Sequence, residues 1–263
     1  MPPSIIAITF LSAPALRGIG ETTPRIEAGA GATNDMGEVA MIDIHSGFQS
    51  VDRGPGPEAL FNFLDDANAT DTVQSYRHRM LEIHPPQPAQ RVLDIGCGIG
   101  HSALDLARRI GTSGRVIGID KSDALIAEAR RRAAGSALPL EYDVQDACRL
   151  RFPDAHFDVC RIERVLMYIE TPERALDEMM RTLRPGGHFA LFEFDYECIV
   201  VDAPDEVLTR QIVRLVSASV PSPCIGRRLQ RLLRERGGRN LSVVPYTVMT
   251  PLNMFRQIIG GTI

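Results

Sequence analysis

The sequence predicts an α/β protein, a doubly wound and mostly parallel sheet behind an N-terminal helical lid. Three observations carry that reading. Strand-like and helix-like segments alternate from residue 91 onward. A glycine-rich turn joins the first of these strands to the first helix. Acidic residues then recur at or just after the ends of the next two strands. Alternation at this spacing requires parallel strands joined by right-handed helical crossovers.

The elements follow in order. Residues 1–45 are rich in Gly, Ala, Pro and Thr and lack sustained periodicity. Such a segment buries too little apolar area to offset its ordering entropy, so a disordered or loosely attached extension is expected. Residues 46–87 read as the lid. A helix opens at Pro57, with proline in its first turn. Thr70 caps a second helix to about His84, and Val73, Tyr76, Met80 and Leu81 share one face. Pro85-Pro86 ends it. The main domain spans residues 88–263, with a helical insertion at about 197–225.

Within that domain, strands are predicted at Arg91–Ile95, Arg115–Ile119, Leu138–Tyr142, Phe157–Ile162 and His188–Phe194. Helices are predicted at His101–Ile110, Ser122–Ala134 and from Thr171-Pro172 to Pro185-Gly186-Gly187. Two more helices, Pro204–Val216 and Gly226–Arg236, precede a strand near Leu241–Val248. Pro251–Ile259 reads as a short helix.

Composition narrows the function classes. The net charge of −4 and pI near 5.9 argue against nucleic acid as a partner. Only Lys121 is lysine among the 29 basic residues, which fits a GC-rich bacterial genome. The five cysteines are scattered and never spaced Cys-x-x-Cys, so neither a disulfide framework nor a metal site is expected. No apolar run reaches the ~18 residues that span a bilayer, and no basic region precedes the apolar start. A cytoplasmic location follows as the simplest setting.

The chemistry-bearing motifs lie along the strand ends. The first is Asp94-Ile95-Gly96-Cys97-Gly98-Ile99-Gly100. Its glycines permit unusual backbone angles and close approach by a ligand. Nicotinamide and flavin sites use similar glycines. Asp94 sharpens the reading, because a carboxylate there repels a pyrophosphate and suits an ammonium. Asp94, Gly96, Cys97, Gly98 and Gly100 are therefore candidate cofactor contacts. Asp120, twenty residues after Gly100, can accept both hydroxyls of a ribose, and Lys121 adjoins it. Asp146 could accept from an adenine amino group while the Ala147 amide donates to a ring nitrogen. Arg161 and Glu163 close the fourth strand at the switch point of the sheet, where backbone groups should face the amino-acid part of the ligand. Glu163 and Arg164 could instead pair and order that loop.

Together with Leu183-Arg184-Pro185-Gly186-Gly187, these motifs resemble, in order, those of class I S-adenosylmethionine-dependent methyltransferases. The branch of similar appearance contains quinone-biosynthesis and bacterial natural-product enzymes. The resemblance covers roughly residues 57–250. It implies a Rossmann-like seven-stranded sheet, S-adenosyl-L-methionine as cofactor, and a lid over a small-molecule acceptor. The family's last hairpin is incomplete here: only Leu241–Val248 offers a strand after the fifth. An irregular strand at Cys198–Val201, or a partner chain, could fill the gap. Homo-oligomer formation through the lid or an open sheet edge is a corresponding expectation.

The candidate catalytic residues are His101, Tyr76 and Glu163. His101 begins a helix beside the glycine turn and could act as a base or pack over the cofactor. Tyr76 lies in the lid and could cover the methionine end, touch the acceptor, or simply be a half-buried helix residue. Tyr168, Tyr196 and Glu197 are weaker candidates. Phe48, Phe61, Phe63, Leu64 and Met80 give the lid an apolar character that suits a hydrophobic acceptor, although ordinary lid packing explains it as well. Two other readings remain: a nicotinamide-dependent oxidoreductase, against which Asp94 counts, and a cyclase or non-catalytic partner with the same fold. The incomplete hairpin is the best support for the last.

Overall fold

In the computed structural model the described residues are 4–9, 44–53, 57–201, 204–248, 250, 254–255 and 258. A seven-stranded sheet runs in the order β4-β3-β2-β5-β6-β1-β7. The strands are β1 (Ser4–Thr9), β2 (Arg91–Ile95), β3 (Arg115–Asp120), β4 (Leu140–Val144), β5 (Phe157–Glu163), β6 (Leu183–Glu193) and β7 (Arg239–Val243). Every pairing between them is parallel. The central strands are continuous apolar runs because both their faces are covered. In β2, Val92, Leu93, Asp94 and Ile95 are all buried.

Successive side chains of a strand point to opposite faces. Val92 packs with Ala103, Leu106, Ala107 and Ile110 of α4 (His101–Ile110) and with Ile126 and Ala129 of α5 (Asp123–Ala133). Leu93 and Ile95 join the opposite core, with Leu176 and Met179 of α6 (Pro172–Thr182) and Leu229, Leu232 and Leu233 of α8 (Ile225–Glu235). Helix α7 (Glu206–Ala218) lies in the segment read above as an insertion. No helix among the described residues is long and apolar enough to cross a membrane.

Helices α1 (Ile44–Gln49), α2 (Glu58–Ala69) and α3 (Asp71–Ile83) build the lid. The Thr70 hydroxyl accepts from the Val73 amide at 3.3 Å, the cap expected from sequence. Ser122 caps α5 in the same way, from Leu125 at 3.2 Å. Asp52, in the turn after α1, adds a second cap by accepting from the Ala124 amide at 3.0 Å and the Ser122 hydroxyl at 2.8 Å. Val73, Tyr76 and Met80 of α3 pack on Ala190 and Phe192 of β6.

Two expectations need correction. The loosely attached extension over residues 1–45 does not describe Ser4–Thr9. That segment pairs with β6 from Ser4–His188 to Thr9–Glu193, and with β7 on its other side. Its own composition gives no sign of this, because the stabilisation comes from completing ladders on two open edges. The remainder, residues 10–43, lies outside the described residues. The last hairpin is incomplete, as expected, since β6 and β7 do not pair with each other; the irregular strand considered at Cys198–Val201 is the second correction. Strand β1 takes the place sought at Cys198–Val201, where Tyr196–Cys198 instead forms a short 3-10 turn. The last predicted strand is shorter and starts earlier, at Arg239–Val243, while Val244, Tyr246 and Val248 pack near α3. The helix expected at Pro251–Ile259 falls mostly outside the described residues.

Deleting residues 1–10 should therefore cost about 3 kcal/mol from lost ladder bonds and lower the melting temperature by roughly 6–12 °C. Calorimetry checks this; an unchanged melting temperature would show that β1 contributes nothing to the sheet.

Candidate active site

The chain moves outward from β2 to β3 and β4, then returns to place β5 on the other side of β2. Ligands bind in the crevice beyond the strand ends at such a reversal. A cavity lies there, roofed by the lid. Its wall includes Asp94, Gly96, Cys97, Gly98, His101, Asp120, Lys121, Asp146, Ala147, Tyr76, Glu163 and Arg164. Most of the residues singled out from sequence are thus brought together.

The glycine turn is shaped by close approach. Gly96 has φ +67°, and a Cβ there would overlap the Val165 side chain. Gly100, at φ +90°, begins α4, and a Cβ on it would meet the Tyr142 ring. Gly100 consequently lies under Tyr142, behind the cavity wall rather than on it. The turn is pinned from β3: the Cys97 amide donates to the Ile119 carbonyl at 2.9 Å. Asp120 accepts from the Gly98 amide and the Ser122 amide, each at 3.1 Å. Burial raises the Asp120 carboxyl above its ordinary range, and those two amides oppose the rise. Asp146 accepts from the Cys148 amide at 2.8 Å, which holds its loop at the end of β4.

Two buried carboxylates beside the turn behave oppositely. Asp94 is 2% exposed, and its Oδ2 has no hydrogen-bond partner among the described residues. Its nearest cation, Arg161 Nη1, stands 3.6 Å from Oδ1. Burial therefore prevails and pushes the Asp94 carboxyl up to about 6. Glu163 is buried too, but it takes the Arg77 Nε at 3.0 Å, Arg77 Nη2 at 2.9 Å, the Ser102 hydroxyl at 3.2 Å, Arg161 Nη2 and the Tyr76 hydroxyl. Burial opposes its ionisation, yet the arginines outweigh burial and hold it well below the usual carboxylate range. A carboxylate so held positions its neighbours and is a poor proton acceptor. Arg161 reaches from Asp94 to Glu163 behind the wall, so its side chain does not line the cavity. Arg164 also approaches Glu163, with Nε at 3.6 Å, so the pairing considered from sequence is present within a larger network.

Tyr76 is fully buried rather than half-buried. Its ring stacks on Phe192 with centroids 3.7 Å apart, and burial raises its hydroxyl far above the ordinary value, keeping it neutral. His101 Nε2 lies 2.9 Å from Asp65 of α2, and Arg132 of α5 grips the same carboxylate at 2.6 and 2.9 Å. The Arg132 hydrogen bond holds Asp65 ionised. The imidazole must therefore donate from Nε2, leaving only Nδ1 able to accept. Burial lowers the His101 pKa, with Asp65 opposing. Arg77, Ser102, Asp65 and Asp52 were missed from sequence. Arg77 carries one legible sign, a charge directly after Tyr76 on the lid helix; the others carry none.

The methyltransferase-domain family model matches residues 93–191, from β2 into β6. An uncharacterized 37.1 kDa protein in transposon TN4556 of Streptomyces fradiae is 38% identical over 76% of this chain and 58% of its own length. A 2-phytyl-1,4-naphtoquinone methyltransferase of Synechococcus elongatus is 32% identical over 51% of this chain and 58% of its own length. The O-methyltransferase resE of Aspergillus sclerotiorum is 29% identical over 81% of this chain and 77% of its own length. The chain spans 58% of the length of the first two of these relatives.

The wall fits S-adenosylmethionine. The unpartnered Asp94 oxygen suits an ammonium, and the buried Asp120 suits a ribose. A pH dependence follows. Folding raises the Asp94 pKa to about 6 from an ordinary 3.8, so between those values the folded state takes up the proton first and gains stability as pH falls. An ammonium ligand needs the ionised form. Affinity for S-adenosylhomocysteine should therefore fall as pH drops through about 6 in the wild type, and Asp94→Asn should flatten the dependence. Titration calorimetry reads it; equal slopes in both proteins would contradict the assignment. With the motifs ranged in order along the strand ends and the family model spanning them, residues 93–191 form a methyltransferase domain of the class I S-adenosylmethionine-dependent kind.

Proposed function

We propose that this protein transfers a methyl group from S-adenosylmethionine to a small, hydrophobic acceptor of the quinone or natural-product kind, in the cytoplasm. The observation that carries the acceptor class is the apolar half of the cavity. Ile44, Phe48, Phe63 and Leu64 of the lid line it, with Met254 and Ile258 near the chain end. Phe48 packs against Tyr168 with ring centroids 5.6 Å apart, so the lid closes on the strand ends through apolar contact. The similarity to a named quinone methyltransferase and a named O-methyltransferase supports the same class.

When bound, the cofactor supplies an already activated methyl group on a sulfonium. The protein's work is then alignment and exclusion of water. Asp120 and Lys121 would hold the ribose side, Asp146 and Ala147 the adenine, and Asp94 with the Gly96–Gly98 turn the amino-acid end. Glu163 fixes Tyr76 and Arg77 of the lid against that turn. The link from His101 to Asp65 fastens α2 over the glycine turn. The gap in the sheet that favoured a cyclase or non-catalytic reading is filled by β1.

S-adenosylhomocysteine should bind the wild type in a calorimetric titration, and Asp120→Ala should weaken it about 10- to 100-fold through lost charged hydrogen bonds. Incubation with phenols, quinols and terpenoid precursors should then yield a product heavier by one methyl. Absence of binding to the wild type would sink the cofactor assignment; binding without any methylated product would sink the transfer.

A further inference from the structure

The order of the strands sorts the cavity wall. Asp146 follows β4, Asp120 ends β3 and the glycine turn follows β2, so the cofactor's adenine, ribose and amino-acid parts map onto successive strand ends. The next ends along the sheet are those of β5 and β6. Arg164, Tyr168, Phe194 and Tyr196 stand there. That is where an acceptor must sit if it is to meet the cofactor's sulfur end.

The cations at this end are unequally occupied. Arg77 uses Nε and Nη2 on Glu163 and Nη1 on Asn68. Arg161 lies between Asp94 and Glu163. Arg164 touches Glu163 only through Nε, at 3.6 Å. Its Nη1 and Nη2 have no hydrogen-bond partner among the described residues, although the side chain is only 17% exposed and borders the cavity. A buried guanidinium is normally paired. Its backbone is also unusual. Arg164 has φ +57°, held by its amide donating to the Phe192 carbonyl at 2.8 Å. Left-handed backbone at a bulky residue costs free energy and clusters where a side chain must be aimed.

The groups around Arg164 put no free base on the cavity wall. Glu163 is saturated by donors, and Tyr76 is kept neutral by burial. Tyr168 and Tyr196 are also on this wall; burial raises Tyr196. Glu193, at the end of β6, accepts from the Val165 and Leu166 amides at 2.9 and 2.7 Å and lies behind the wall. Burial pushes its carboxyl up to about 7.

We propose that Arg164 is the anion anchor of the acceptor subsite, and that the acceptor is an acidic hydroxyl compound, a phenol or an enol, bound as its oxyanion on this guanidinium. This rests on the methyltransferase reading and names its substrate class. On binding, the hydroxyl proton leaves to solvent, drawn off by the cation rather than by a protein base. The oxyanion's electron pair then forms the bond to the methyl carbon. The carbon–sulfur bond breaks as it does so, leaving a neutral thioether and a methyl ether.

Para-nitrophenol tests this without turnover, because its visible absorption reports ionisation. It would be titrated against protein saturated with S-adenosylhomocysteine. The bound phenol should ionise about one pH unit or more below the free phenol in the wild type. Arg164→Met should abolish the shift, and Arg164→Lys should keep most of it. Both variants should hold S-adenosylhomocysteine within about threefold of wild type, because Arg77 and Arg161 still compensate Glu163. No saturable binding of the phenol, no shift in the wild type, or the same shift in Arg164→Met would overturn the proposal. So would a loss of S-adenosylhomocysteine affinity of about tenfold in Arg164→Met, which would assign the cation to the cofactor. Failure of the wild type to bind S-adenosylhomocysteine at all would instead overturn the cofactor reading.

Discussion

The buried carboxylate of Glu163 is the interaction on which the rest of this site depends. It closes β5, and besides Arg161 on its own strand its partners come from two other elements: Tyr76 and Arg77 on the lid helix α3, and Ser102 on α4. A lone buried carboxylate is pushed toward its neutral form, as Asp94 is when burial raises its carboxyl to about 6. Surrounded by guanidinium groups it is held ionised, and the charge then fixes the position of everything that donates to it. The lid is therefore fastened to the sheet by an electrostatic clamp next to the glycine turn, as well as by the apolar packing of Tyr76 on Phe192.

The contrast between Glu163 and Asp94 shows how one pocket makes two different carboxylates. Both side chains are buried, and they share Arg161. Direct hydrogen bonds from arginine decide for Glu163, while a 3.6 Å gap and an unpartnered oxygen decide for Asp94. The first is finished within the protein. The second is completed only by a cationic group from outside, which is the demand that an amino-acid-bearing cofactor meets. The same accounting leaves Arg164 as a cation without a full counterpart on the acceptor side of the wall.

What was legible in the sequence was local. The turn Asp94–Gly100, the strand-end Asp120 and the cap Thr70 each signal through neighbours a few residues away, so spacing alone located them. What was not legible depends on distant partners. Strand β1 lies between β6 and β7, well over a hundred residues later in the chain, and nothing in Ser4–Thr9 names those edges. Asp65 looks like any acidic residue on a helix until α4 and α5 bring His101 and Arg132 to it. Glu163 was found as a site residue, but its role was open because its arginine partner Arg77 arrives from the lid. Spacing likewise placed Gly100 and Arg161 at the ligand, and packing then turned both behind the wall.

The clamp is the claim most directly open to measurement. Hydrogen exchange of the α3 amides would be followed in ligand-free wild type and in Glu163→Gln. Removing the charge leaves buried guanidinium groups uncompensated, which should cost about 3–5 kcal/mol and speed α3 exchange well beyond that of α4 or α5. Wild-type exchange rates across α3 in the variant, at unchanged stability, would contradict the account.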